Sequence, residues 1–140
     1  MKIADVSRTV LTGASAYAGG AFAIGFALGA ARVFLIAPRV GVVGAVLIEL
    51  PIILAASWFV AGWAIRRFAV PPTRGALITM GAIAFVVLQG LEFALAIGAF
   101  GTSPRGFFAN FAGLPGALGL AGQLVFAAIP TVRGSIAARR

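Results

Sequence analysis

The chain has 140 residues, of which 61% are hydrophobic and 10% charged, and it carries a net charge of +8. That balance excludes an ordinary water-soluble domain, which could not hide so much apolar surface at this length. It holds no Cys and no His, which excludes thiolate and imidazole metal sites, disulfides, and Ser-His-Asp or Cys-His nucleophile systems within it. The expectation is a single all-α domain, a bundle of transmembrane helices.

About 20 apolar residues are needed to cross a hydrocarbon core, and four runs qualify, at about 10–36, 42–65, 76–100 and 114–132. The first contains one internal charge, Arg32. Lys2 and Arg8 precede it, but the apolar stretch before "ASA" at 14–16 is too short for a cleaved leader, so the helix is expected to be retained. Within it Ala21, Gly25 and Gly29 recur every four residues, a small-residue ridge that lets helices approach closely.

The turn "APRVG" leads into the second run, which carries Glu49 and, two residues on, Pro51. A proline there frees the carbonyl of residue 47. The loop "RRFAVPPTRG" separates this run from the third, which holds Gln89 and Glu92. The loop "GTSPRGFFANFAG" then brings Phe107, Phe108 and Phe111, read as a short amphipathic segment at an interface. The fourth run carries Gln123 and a second glycine series at Gly113, Gly116, Gly119 and Gly122.

Eight basic residues fall on the side of the two termini and the middle loop: Lys2, Arg8, Arg66, Arg67, Arg74, Arg133, Arg139 and Arg140. Three fall on the other side: Arg32, Arg39 and Arg105. Such a bias places both termini in the cytoplasm, and the Arg- and Ala-rich composition fits the inner membrane of a bacterium. The basic residues flank apolar runs and no nucleic-acid-binding motif accompanies them, so no nucleic-acid partner is expected.

The charges within the runs fall at matching depths. Glu49 and Glu92 lie equidistant from the Val70–Pro71 turn, and reflection of Glu49 through the first turn lands on Arg32. Reflection of Glu92 through the third loop lands between Gly116 and Gly119. The expected cluster is Arg32, Glu49 and Glu92, with Arg39 reaching in from the loop and Gln89 and Gln123 nearby. It lies about 10–12 Å below the surface, at 1.5 Å per residue. A charge in mid-membrane costs about 2.5–3.5 kcal/mol on the insertion scale, so pairing is the expected remedy.

Two readings of the cluster follow. In the first, Arg32 neutralises the acids and staples the bundle, and the protein is a non-enzymatic packing, accessory or self-associating membrane protein. In the second, Glu49 and Glu92 serve a small proton- or cation-coupled transporter or channel. No nucleophile, metal set or cofactor loop supports an enzyme. The expected partners are the lipid bilayer and a second copy or a larger membrane complex, and no cofactor is expected.

Overall fold

The computed structural model describes residues 2–140, and among these the chain is helical with no strand. Helix α1 spans Ile3–Ala31 and continues through a π-helical turn, Arg32–Ile36, into α2, Ala37–Arg67. Helix α3 is Arg74–Gly98, and the short α4 is Pro104–Ala109 with a 3-10 turn Asn110–Ala112 after it. Helix α5 is Leu114–Ala138.

Three helical stretches are long and apolar enough to cross a membrane: Ile3–Arg67, Arg74–Gly98 and Leu114–Ala138, with peak mean hydropathies of 2.2, 2.0 and 1.4. The first of them is 65 residues long. It is a hairpin. Gly41 leaves the helix at φ 81°, ψ 167°, a backbone conformation that a side chain would strain, and there the chain reverses. Beyond it α2 packs back on α1, with Val60 against Gly20 and Ile53 against Gly25. Four helical arms result.

Helix α1 begins earlier and α5 ends later than hydropathy alone suggests, while α3, Arg74–Gly98, is shifted two residues toward the N-terminus. Helix α1 starts at Ile3 instead of Val10 because its early hydroxyls are satisfied by their own helix. Ser7 donates to the Ile3 carbonyl at 3.1 Å and Thr12 to that of Arg8 at 2.8 Å. Most of "APRVG" is helical, and the reversal falls on its final glycine. Helix α5 runs through Pro130 to Ala138, which takes Arg133 out of the expected tail and into a helix. Pro51 likewise remains inside α2.

The remaining ends are set by recognisable chemistry. Arg66 and Arg67 occupy the last turn of α2, where cations complement the helix dipole. The chain then leaves through Ala69 at φ 52° and through Pro71–Pro72, neither of which can donate a helical hydrogen bond. Thr73 caps α3 by accepting from the Ala76 amide at 3.3 Å, and Ser103 caps α4 by accepting from that of Gly106 at 3.0 Å.

Around the bundle the order is α1, α2, α5, α3. Helices α2 and α3 follow one another in the chain, yet their backbones do not approach closely; they are diagonal. The reflection of Glu49 on Glu92 through the Val70–Pro71 turn presumes instead that the two helices are adjacent. The two prolines of that loop favour extended backbone, so it carries the chain across the diagonal instead of folding it back.

Buried residues concentrate at the end that holds the termini. Val10, Ala14, Tyr17 and Ala18 of α1 meet Ala61 and Ala64 of α2, Leu77, Met80 and Ala84 of α3, and Phe126 and Ile129 of α5. Most of the helix contributions are small, so backbones come close. A Cβ on Gly81 would fall on the Ala127 carbonyl, and one on Gly134 would lie 2.6 Å from Leu77 Cδ1. Where lipid is as apolar as the core, such close van der Waals packing holds helices together. The outer surface is correspondingly apolar, with Phe34, Phe59 and Phe100 all at least 70% exposed.

Across the other diagonal a single tyrosine joins α1 to α5. The Tyr17 ring stacks on Phe126 at 4.3 Å between centroids and 12° between planes. Its hydroxyl donates to the Phe126 carbonyl at 2.9 Å. That carbonyl is free because Pro130, four residues on, has no N–H to offer it. Ser57, also buried, approaches the same phenol from α2, although its own hydroxyl makes no well-aligned hydrogen bond.

Candidate functional site

Toward the Gly41 end the bundle opens. From Phe22 to Ile36 no residue of the first arm is fully buried, and here the polar side chains gather. The reversal at Gly41 sets Arg32 opposite Glu49, with Nη1 to Oε2 at 3.1 Å. This is the one ion pair among the described residues. It is an electrostatic contact more than an aligned hydrogen bond, since Glu49 Oε2 has no donor of good geometry. The Arg32 side chain is 34% exposed and that of Glu49 14%, so the pair sits at the rim of the opening, partly screened.

Glu92 has a different environment. No cation lies within ion-pairing distance of it; Gln123 of α5 donates to its Oε2 at 2.7 Å instead. Gln123 in turn accepts at Oε1 from Gln89 Nε2. Gln89 and Glu92 share a face of α3, one turn apart, and α5 is the neighbour of that face. The chain Gln89–Gln123–Glu92 is therefore a relay in which the amide of Gln123 is used at both ends.

The expected cluster thus divides into an ion pair, Arg32–Glu49, and an uncharged-amide relay ending on Glu92. Arg39 does not join either. It is exposed, and it donates to the Leu35 carbonyl one turn back in its own helix. The Leu47 carbonyl that Pro51 frees belongs to a residue 52% exposed, outside the cluster.

Of the glycines singled out, Gly25 makes an ordinary contact with Ile53 Cδ1, where an added Cβ would lie 3.7 Å away. Gly29 and Gly119 would meet nothing within 4 Å. Gly116 is pressed on the Asn110 carbonyl, which fixes the start of α5 under the 3-10 turn. The tightest helix crossings fall at Gly122, the last of the second glycine series, and at Gly81 and Gly134 outside either series, on the α2–α5 and α3–α5 seams.

Beside the relay, at Gln89, lies the phenylalanine segment expected at an interface. Helix α4 folds onto α3, with the Phe107 ring edge-on to Phe93 at 5.2 Å and to Phe111 at 5.5 Å. Phe85, Phe93, Phe107, Phe108, Phe111 and Gln89 line an open groove of about 460 Å³. The spacing of Phe85, Gln89 and Phe93 every four residues puts them on one face of α3, a signal present in the sequence. No group of three or more metal-binding acids occurs among the described residues.

The fold and these side chains define a class, an all-helical bundle with the lengths and hydropathy of a membrane protein. Comparison with protein-family models, with curated proteins and with solved structures found no match.

Proposed function

We propose that the protein is a non-enzymatic multi-pass membrane protein that binds a lipophilic organic cation in the opening between α3 and α5, as the outward-facing state of a small cation carrier. One observation carries this reading: of the two acids, Glu49 has an arginine partner and Glu92 has none. An acid within a membrane span takes a partner or a function. Gln123 orients the carboxylate through one hydrogen bond and leaves lone pairs free. The phenylalanine groove meets the relay at Gln89 and offers apolar contact and ring faces that attract cations, while the packed termini half closes the far side.

The eight-to-three distribution of basic residues supports an orientation with both termini cytoplasmic. The opening then faces outward, and in a bacterium the location is the inner membrane. Tetraphenylphosphonium is a suitable probe, with triphenylphosphine oxide as its uncharged counterpart. The phosphonium should bind saturably to the purified protein in detergent, and the oxide should bind at least about tenfold more weakly, a difference of about 1.4 kcal/mol. Glu92→Gln should remove the preference for charge. Equal binding of both probes, or an unchanged preference in Glu92→Gln, sinks the cation reading.

A second reading, a packing or accessory subunit, is favoured by Gly29 and Gly119, which have open space before them. Gly29→Leu and Gly119→Leu would then reduce the particle size in mild detergent, or release a stoichiometric partner, without lowering the monomer's melting temperature.

A further inference from the structure

We infer that Arg66 and Arg133 form a site for the phosphate of an anionic lipid headgroup, at the termini end of the bundle between α2 and α5. This goes beyond the cation opening and lies at the opposite end. A recess of about 60 Å³ is lined there by Gly62, Ile65 and Arg66 of α2 and by Gly134, Ala137 and Arg133 of α5. Two arginines thus converge on a space the size of one small polyatomic group.

The Arg133 side chain is held in place. Its guanidinium lies over the Trp58 ring, 5.4 Å from the centroid, and against the backbone of Gly62. A Cβ on Gly62 would come within 2.9 Å of Arg133 Nε, so the glycine makes room for the guanidinium. Yet Nε is buried with no hydrogen-bond partner, and a buried donor left unmade is costly, more so on a charged group. No acid answers it. Asp5 is the sole acid at this end, and no ion pair joins it to either arginine.

Two like charges around one recess repel unless an anion sits between them. Guanidinium presents a planar fork of donors that suits phosphate oxygens. The depth also fits a lipid source. Trp63, about half exposed, lies one turn from Arg66–Arg67 and edge-on to Phe68, and tryptophan marks the headgroup level of a bilayer. Basic recesses between helices at that level suit phospholipid headgroups.

The test uses the full chain in a neutral detergent, titrated separately with phosphatidylglycerol, phosphatidylcholine and inorganic phosphate. Retention is read by native mass spectrometry and protection by thermal melting. Phosphatidylglycerol should be retained and should raise the melting temperature, and the choline lipid should do neither. Arg133→Gln and Arg66→Gln should each weaken the glycerol lipid about fivefold, on the order expected for one arginine at a membrane surface. Arg139→Gln, in the same basic end but outside the recess, should leave it unchanged. If Arg133→Gln fails to fold, the exposed Arg66 decides alone. Equal retention of the two lipids overturns the site. Equal loss in Arg139→Gln does so too, since it would mean a diffuse field, and equal protection by inorganic phosphate would replace the lipid with a free anion.

Discussion

The termini half of the bundle and the Gly41 half are built from the same helical arms, but they solve opposite problems. In the termini half the arms approach through glycine and alanine, and the side chains buried between them are almost all apolar. The one phenol among them finds a proline-freed carbonyl. In the Gly41 half fewer residues are buried, and the arms hold two acids, an arginine and two amides. The contrast teaches that proline and charge play complementary parts here. A proline in the packed half creates an acceptor that one hydroxyl satisfies, whereas the charges in the open half need several partners and leave one carboxylate without a cation.

The largest effect that probes this contrast is steric. Gly81→Val should cost about 3 kcal/mol or more, the upper end of overpacking penalties, because the new Cβ meets the Ala127 backbone and neither helix can yield alone. Gly29→Val should change the melting temperature little, having open space before it. Similar losses at both sites would show that the two halves are equally packed.

Next comes the ion pair. Glu49→Gln and Arg32→Met should each destabilise by about 2–3 kcal/mol, below the 3–5 kcal/mol of a fully buried pair because Arg32 is one-third exposed. The double variant should recover most of the loss. Thermal melts of the four proteins in one detergent measure the coupling, and additive losses would mean that the pair does not hold the hairpin.

The smallest effect belongs to the tyrosine. Tyr17→Phe keeps the stack on Phe126 but strands its carbonyl, for about 1–2 kcal/mol. Pro130→Ala in the Tyr17→Phe background should return part of that, since residue 130 regains the N–H that bonds the carbonyl. If the second substitution brings no recovery, the freed carbonyl is not what the phenol answers.

Much of this was legible beforehand, and the reasons differ by feature. The Arg32–Glu49 pair follows from its hairpin, where a short reversal mirrors one arm on the other and a charge inside an apolar run must be answered. Hydropathy gives spans but not neighbours, so the diagonal placement of α2 and α3 had no signal beyond the two prolines. Arg133 was misplaced because the apolar run stops at residue 132, yet a helix holds its own backbone hydrogen bonds and continues past its apolar stretch, here to Ala138. The Phe126 carbonyl could be found by counting four residues back from Pro130. Which donor reaches it could not, because that depends on the order of helices around the bundle.

That order has a consequence for how the molecule is put together during synthesis. The backbones of α2 and α3 nowhere approach closely; both rest on α1, and α5 lies between them on the far side. A nascent chain that has released only α1, α2 and α3 is therefore a three-sided trough. Its seam is edged by Leu50 of α2 and by Leu77 and the Gly81 backbone of α3. The last of the four arms to leave the ribosome is the one that closes it, seating Gly122, Gly134 and the Ala127 carbonyl on those three residues in one step.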